Sequence, residues 1–177
     1  MFYLTRYYLI ISILIGFVFY PFQKATGAET IVLRYSMLRP SIPVADLTNL
    51  CETGEVSSAL ASYLRLANQK QDNVRNALCR KIPVDGVMLS KMLNHPLGGM
   101  VLNIFAEVIT TPSQRASKES LRGAIVTSAL KDNNISIMEV AQNYPTEEVH
   151  INGDRLMEIY NQIDSILGSL PLPKRNK

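Results

Sequence analysis

Catalysis by an activated serine needs a base within hydrogen-bond reach, and the chain offers two histidines for that task, His95 and His150. His95 stands in "LNHPLGG", at an expected helix end beside a proline. His150 stands in "EVHIN", which reads as a short strand. Neither accompanies a turn that would present a nucleophile, so both read as structural or surface residues. The G-x-S-x-G pattern of a nucleophile elbow is absent, and "GEVSSA" has one glycine and no strand before it. An enzymatic alternative would join one of these histidines to a serine such as Ser90 or Ser128 in a minimal hydrolase.

Metal and phosphate chemistry fare no better. No two cysteines or histidines fall within four residues, so no zinc spacing exists. Glu147 and Glu148 have no calcium-loop frame around them. Gly98–Gly99 in "HPLGGMVL" resemble a phosphate loop only in being glycines. The lysine and the preceding strand are missing, and close helix packing explains them better. The seven methionines read as core packing. The expectation is a chain with no catalytic, metal-binding or cofactor-binding group.

The first 28 residues differ from the rest. "MFYLTRYY" has one Arg and no acid, "LIISILIGFVFYPF" is a nearly unbroken apolar run, and "QKATGA" is small and polar. This is the layout of a secretory signal, cut before Glu29 with Thr26 and Ala28 at the positions a peptidase reads. The rival reading is an uncleaved anchor spanning Phe2 to Phe22. Residues 29–168 then form one domain of ordinary size, followed by a basic tail, residues 169–177. The whole chain carries 18 basic and 15 acidic residues. Removing Arg6 and Lys24 with the leader, and setting aside Lys174, Arg175 and Lys177, leaves a slightly acidic body. No basic face suited to nucleic acid is visible. The protein is expected to be exported, to the periplasm or envelope, with membrane contact only if the leader stays. Both cysteines, Cys51 and Cys79, lie in the exported part, where an even count permits a disulfide; two free thiols are the alternative.

The elements that would position any site are mostly helices. "ETIVLRYSMLRPSIPV" is the strand-like region, with Ile42 and Val44 returning antiparallel and Pro40 and Pro43 suiting an edge. Helices follow: residues 45–52 stopped by Gly54, 57–67 starting at Ser57, and 72–80 capped by Asp72. A further helix begins in "DGVMLSKMLNH" and is stopped by Pro96, which opens the next one. There Leu97, Val101, Ile104, Phe105 and Val108 make an apolar stripe. "KESLRGAIVTSALK" is helical, Ser136 and Glu139 make a capping box, and Asp154 to Leu167 form a last helix with Leu156, Ile159, Ile163 and Ile166 on one face. Four segments, "SIPV", "KIPV", "NISI" and "EVHI", put two β-branched residues two apart just before a helix, as if a pinned extended segment set each entry angle. The fold class is mainly α: a compact domain of about seven or eight short helices with a small N-terminal β-hairpin.

"VADL" followed by "ETGEVS", "IPV" before a helix, and the "HPLG" segment carry a resemblance over residues 30 to 167. The pattern is similar to an uncharacterised domain of photosynthetic bacteria labelled alpha/beta hydrolase of unknown function, which in longer proteins precedes a hydrolase catalytic domain. The resemblance implies an accessory region in a stand-alone short member ending at "LPLPKRNK", and no nucleophile, acid or base can be carried over from it. Cys51 and Cys79 are not positions associated with that pattern. The function implied is a non-catalytic helical module binding a protein partner or an apolar ligand.

Overall fold

The computed structural model describes residues 27–37, 39–156 and 158–159. The expected leader up to residue 26, most of the expected last helix and the basic tail lie outside them. The β-forming run TIVLR makes β1 (Thr30–Arg34), and the chain reverses through Ser36 at φ 53° into β2 (Ser41–Pro43). Ile31 faces Ile42 across this antiparallel pair. The expected hairpin is therefore present, but it belongs to a larger sheet of order β2-β1-β6-β4. β6 (Glu148–Asn152) runs parallel to β1 along all five residues, from Thr30 opposite Glu148 to Arg34 opposite Asn152. β4 (Ile109–Thr110) closes the other side antiparallel to β6. β2 is an edge strand, which is where Pro43 costs no ladder bond.

Between the paired strands lie α1 (Val44–Glu52), α2 (Ser58–Leu66), α3 (Gln71–Cys79), α4 (Gly86–Asn94), α5 (Pro96–Val108), α6 (Ser117–Asp132) and α7 (Ile137–Gln142). Local chemistry sets most of their ends. Gly54 takes φ +80° just after α1, a conformation that side chains disfavour. The Ser57 hydroxyl accepts the Leu60 N–H at 3.1 Å, and Asp85 accepts the Met88 N–H at 2.8 Å. Pro96 opens α5, and Ser136 with Glu139 forms a reciprocal capping box. The expected cap at Asp72 is displaced: α3 starts at Gln71 behind Lys70, and Asp72 sits in the first turn, where its charge favours the positive end of the helix.

The four β-branched segments all become strands directly before helices: β2, β3 (Ile82–Pro83), β5 (Asn134–Ile135) and β6. β3 is held by pairing more than by burial, since it pairs with β5 while Ile82 remains exposed. The core gathers Leu47, Leu50, Leu60, Leu102, Leu121, Ala124, Met138, Tyr144 and Val149. α6 supplies Ala124 and Ala129, both fully buried, so its neighbours approach closely.

Cys51 and Cys79 are joined, with Cα atoms 5.5 Å apart. The bridge ties the end of α1 to the end of α3, where Arg75 also donates to the Cys51 carbonyl at 3.1 Å. On chain-entropy grounds a loop of this length contributes about 3–4 kcal/mol. Ala28, on the leader side of the expected cut, is buried in the core, so a cut before Glu29 takes that residue out of it.

Tyr144 is 1 % exposed, and its hydroxyl has no hydrogen-bond partner among the described residues. Burial pushes its phenol from 10.0 up to about 12. Below pH 10 the phenol is neutral in both folded and unfolded chains. Between pH 10 and about 12 only the unfolded chain ionises, so stability falls as pH rises, by about 2 kcal/mol across the window. Tyr144→Phe should leave stability at pH 7 equal or higher, because an unsatisfied buried hydroxyl is lost. Urea titrations at pH 7, 10 and 11.5 should show a shallower alkaline loss in the variant; parallel losses in both proteins would refute this.

Candidate functional site

α5 departs most from its sequence pattern. The expected inward stripe was Leu97, Val101, Ile104, Phe105 and Val108, yet only Val108 of these is buried. Gly98 and Leu102 face inward instead. A Cβ built on Gly98 would lie 2.1 Å from the Met92 carbonyl oxygen and 2.8 Å from the Leu93 Cα. The helix therefore backs onto the end of α4 along its glycine side, an approach that only glycine allows. The bulky side chains are turned outward: Leu97 is 68 % exposed and Met100 62 %, with Val101, Ile104 and Phe105 about half exposed.

α4 behaves alike. It buries Gly86 and Leu93 and leaves Val87, Met88 and Met92 exposed. α4 and α5 pack on each other and both on α6, and each turns apolar side chains outward. Clusters of exposed apolar side chains on this scale mark interaction surfaces more often than chance. Three methionines stand among them. The reading of methionines as core packing holds for Met138 and fails for Met37, Met88, Met92 and Met100, all exposed; Met1 and Met157 lie outside the described residues. Unbranched, polarizable methionine side chains suit a surface that adapts to what it meets.

The polar candidates do not assemble. His95 caps α5, its Nδ1 accepting the Leu97 N–H at 3.4 Å. His150 sits on β6 with Nε2 2.9 Å from Glu148. Ser128 is buried in α6, donates to the Ala124 carbonyl at 2.8 Å and accepts from Asn143 at 3.0 Å. Ser90 lies on α4. No hydrogen bond joins either serine to either histidine among the described residues. Lys81 binds Asp132 at 2.7 Å and Glu139 at 3.0 Å, which raises the lysine and lowers Asp132. That cluster ties β3 to α6 and α7. Among the described residues, no group of three or more His, Cys, Asp or Glu is placed to hold a metal ion, and no helix is long and apolar enough to cross a membrane.

Two surface depressions have mixed polar and apolar linings. One, about 560 Å³, is lined by Cys51, Arg75, Asn76, Cys79 and Arg80 over the disulfide. The other, about 490 Å³, is lined by Leu64, Arg65, Asn68, Gln69, Lys70 and Asn73. Neither has the apolar walls that small-molecule sites favour.

These features define a mainly helical domain closed by a small mixed sheet, with its apolar surplus on the outside of one helix pair. The chain belongs to the family described as "Alpha/beta hydrolase of unknown function" (DUF1400), which matches residues 27–152. No curated protein and no solved structure matches it. The matched residues contain the whole α4–α5 face and no G-x-S-x-G sequence.

The sequence missed this face because α5 is apolar nearly all round: Asn103 and Glu107 are its polar side chains, so several stripes fit. The adjacent glycines were the available signal for which side turns in. Leu102→Ala should cost about 2–5 kcal/mol in urea unfolding and Val101→Ala less than about 0.5. Comparable losses at the two positions would contradict the observed rotation of α5.

Proposed function

We propose that this chain is an exported, non-catalytic module that binds a partner protein through the apolar face of α4 and α5. The observation that carries it is the row Met88, Met92, Leu97, Met100, Val101 and Ile104, exposed within the family-matched region. A protein partner is favoured over an apolar ligand because the exposed apolar side chains lie on the outer sides of two helices, while neither depression is walled mainly by apolar groups. The Cys51–Cys79 bridge supports passage into an oxidising compartment, in keeping with the secretory layout of residues 1–28. The separation of Ser90 and Ser128 from any histidine partnership argues against the minimal hydrolase.

The test pairs two readings on one preparation. Purified protein carrying Leu97→Asp and Ile104→Asp should lose at least tenfold of the wild-type capture of its envelope partner. A serine-directed fluorophosphonate should label neither protein. Unchanged capture by the variant, or labelling that disappears on His95→Ala or His150→Ala, would sink the proposal.

A further inference from the structure

The disulfide holds a part of the chain that the core does not. Between Leu60 and Gly86, both buried, no residue is buried, and α3 lies in the middle of this stretch. Val74 and Leu78 rest against the core while only partly buried. α3 lies against α1 and α7. Its ties to the end of α1 are the bridge, the Arg75 bond to the Cys51 carbonyl at 3.1 Å, and a Gln71 amide bond to the Gly54 carbonyl. α1 differs, because Val44, Leu47 and Leu50 sink it into the core. Segments with few buried apolar contacts open at lower free energy than the rest of a fold. The covalent link thus sits on the element least able to hold itself.

The bridge is also within reach of solvent. Cys51 and Cys79 are only partly buried, and both line the depression of about 560 Å³ together with Arg75 and Arg80. Neither arginine is ion-paired to a carboxylate among the described residues. Uncompensated positive charge favours both the attacking and the departing thiolate in disulfide exchange. We propose that Cys51–Cys79 is a thiol–disulfide exchange site, reduced by a protein dithiol, and that its opening releases α3 from a domain that otherwise stays folded. A thiolate of the dithiol attacks one bridge sulfur, breaking the S–S bond and forming a mixed disulfide. The other cysteine leaves as a thiolate and takes a proton from solvent. The second thiolate of the dithiol then attacks its own partner sulfur in the mixed disulfide and frees the remaining cysteine, which is protonated in turn. Two electrons pass to the bridge, and the donor ends as a disulfide. The freed helix bares the sides of α1 and α7 on which it lay. This inference stands apart from the partner-binding reading of α4 and α5, since neither cysteine belongs to those helices.

Dithiothreitol serves as the probe dithiol on purified, oxidised protein in buffer without denaturant. Alkylation of the two cysteines and hydrogen exchange are both followed by mass spectrometry. Cys51 and Cys79 should become alkylated at a rate within about tenfold of that in urea, as an accessible bridge requires. Amides from Arg75 to Cys79 should then exchange at least tenfold faster than in the oxidised protein. Amides of α6 from Leu121 to Ala129 report on the core and should keep their rates, and reoxidation should restore the protection of α3. A bridge that reacts only in urea, α3 amides unchanged by reduction, or α6 amides accelerated along with them would each overturn the proposal.

Discussion

The parallel pairing of β1 with β6 closes the domain, and the helices depend on it. Glu29 and Thr30 both donate to the Glu147 carbonyl at 2.8 and 3.1 Å before the ladder begins. β1 is held on both sides, by β2 and by β6, so its unpaired edge is never open to another chain. A parallel pair cannot be joined by a tight turn. Here the connection is the entire helical body, which is therefore fixed at both ends to adjacent strands. The family-matched residues run from just before β1 to the end of β6, so the pair also marks the limits of the match.

Within that frame α6 is the central helix. It contacts α4, α5 and α7 and presents Leu121, Ala124, Ser128 and Ala129 inward. Its small residues favour close packing, and Gly98 carries the same logic to the junction of α4 and α5. Close approach on the glycine side fixes the rotation of α5 and sends its large side chains outward. An apolar exterior on a family-shared helix pair follows from the packing of the interior. Opposite this layer, the disulfide and the Arg75 and Gln71 contacts hold α1, the Gly54 turn and α3 together.

Local signals in the sequence located most elements. Ser57, Gly54, Pro96 and the Ser136–Glu139 box act within one helical turn, so they read directly from residue spacing. The β-branched pairs before helices were visible as a recurring pattern, but their partners were not: Ile82 meets Ile135 and Ile31 meets Val149 across stretches of chain that no local pattern spans. The rotation of α5 failed for a different reason, because an almost uniformly apolar helix has no stripe to read. Tyr144 gave no sign that its hydroxyl would be left unpaired. The cysteines stated only that a bridge was permitted; the approach of α1 and α3 that makes it is tertiary.

The apolar exterior of α4–α5 as a contact surface is the claim on which the functional reading stands. Site-specific photocross-linking in intact cells tests it most directly, with the photoreactive residue at Val101 in one protein and at Ser62, on helix α2, in another. A recurrent adduct with one protein from position 101, and none from position 62, is the expected result. The same adducts from both positions, or none from position 101 beyond those within the chain itself, would contradict it.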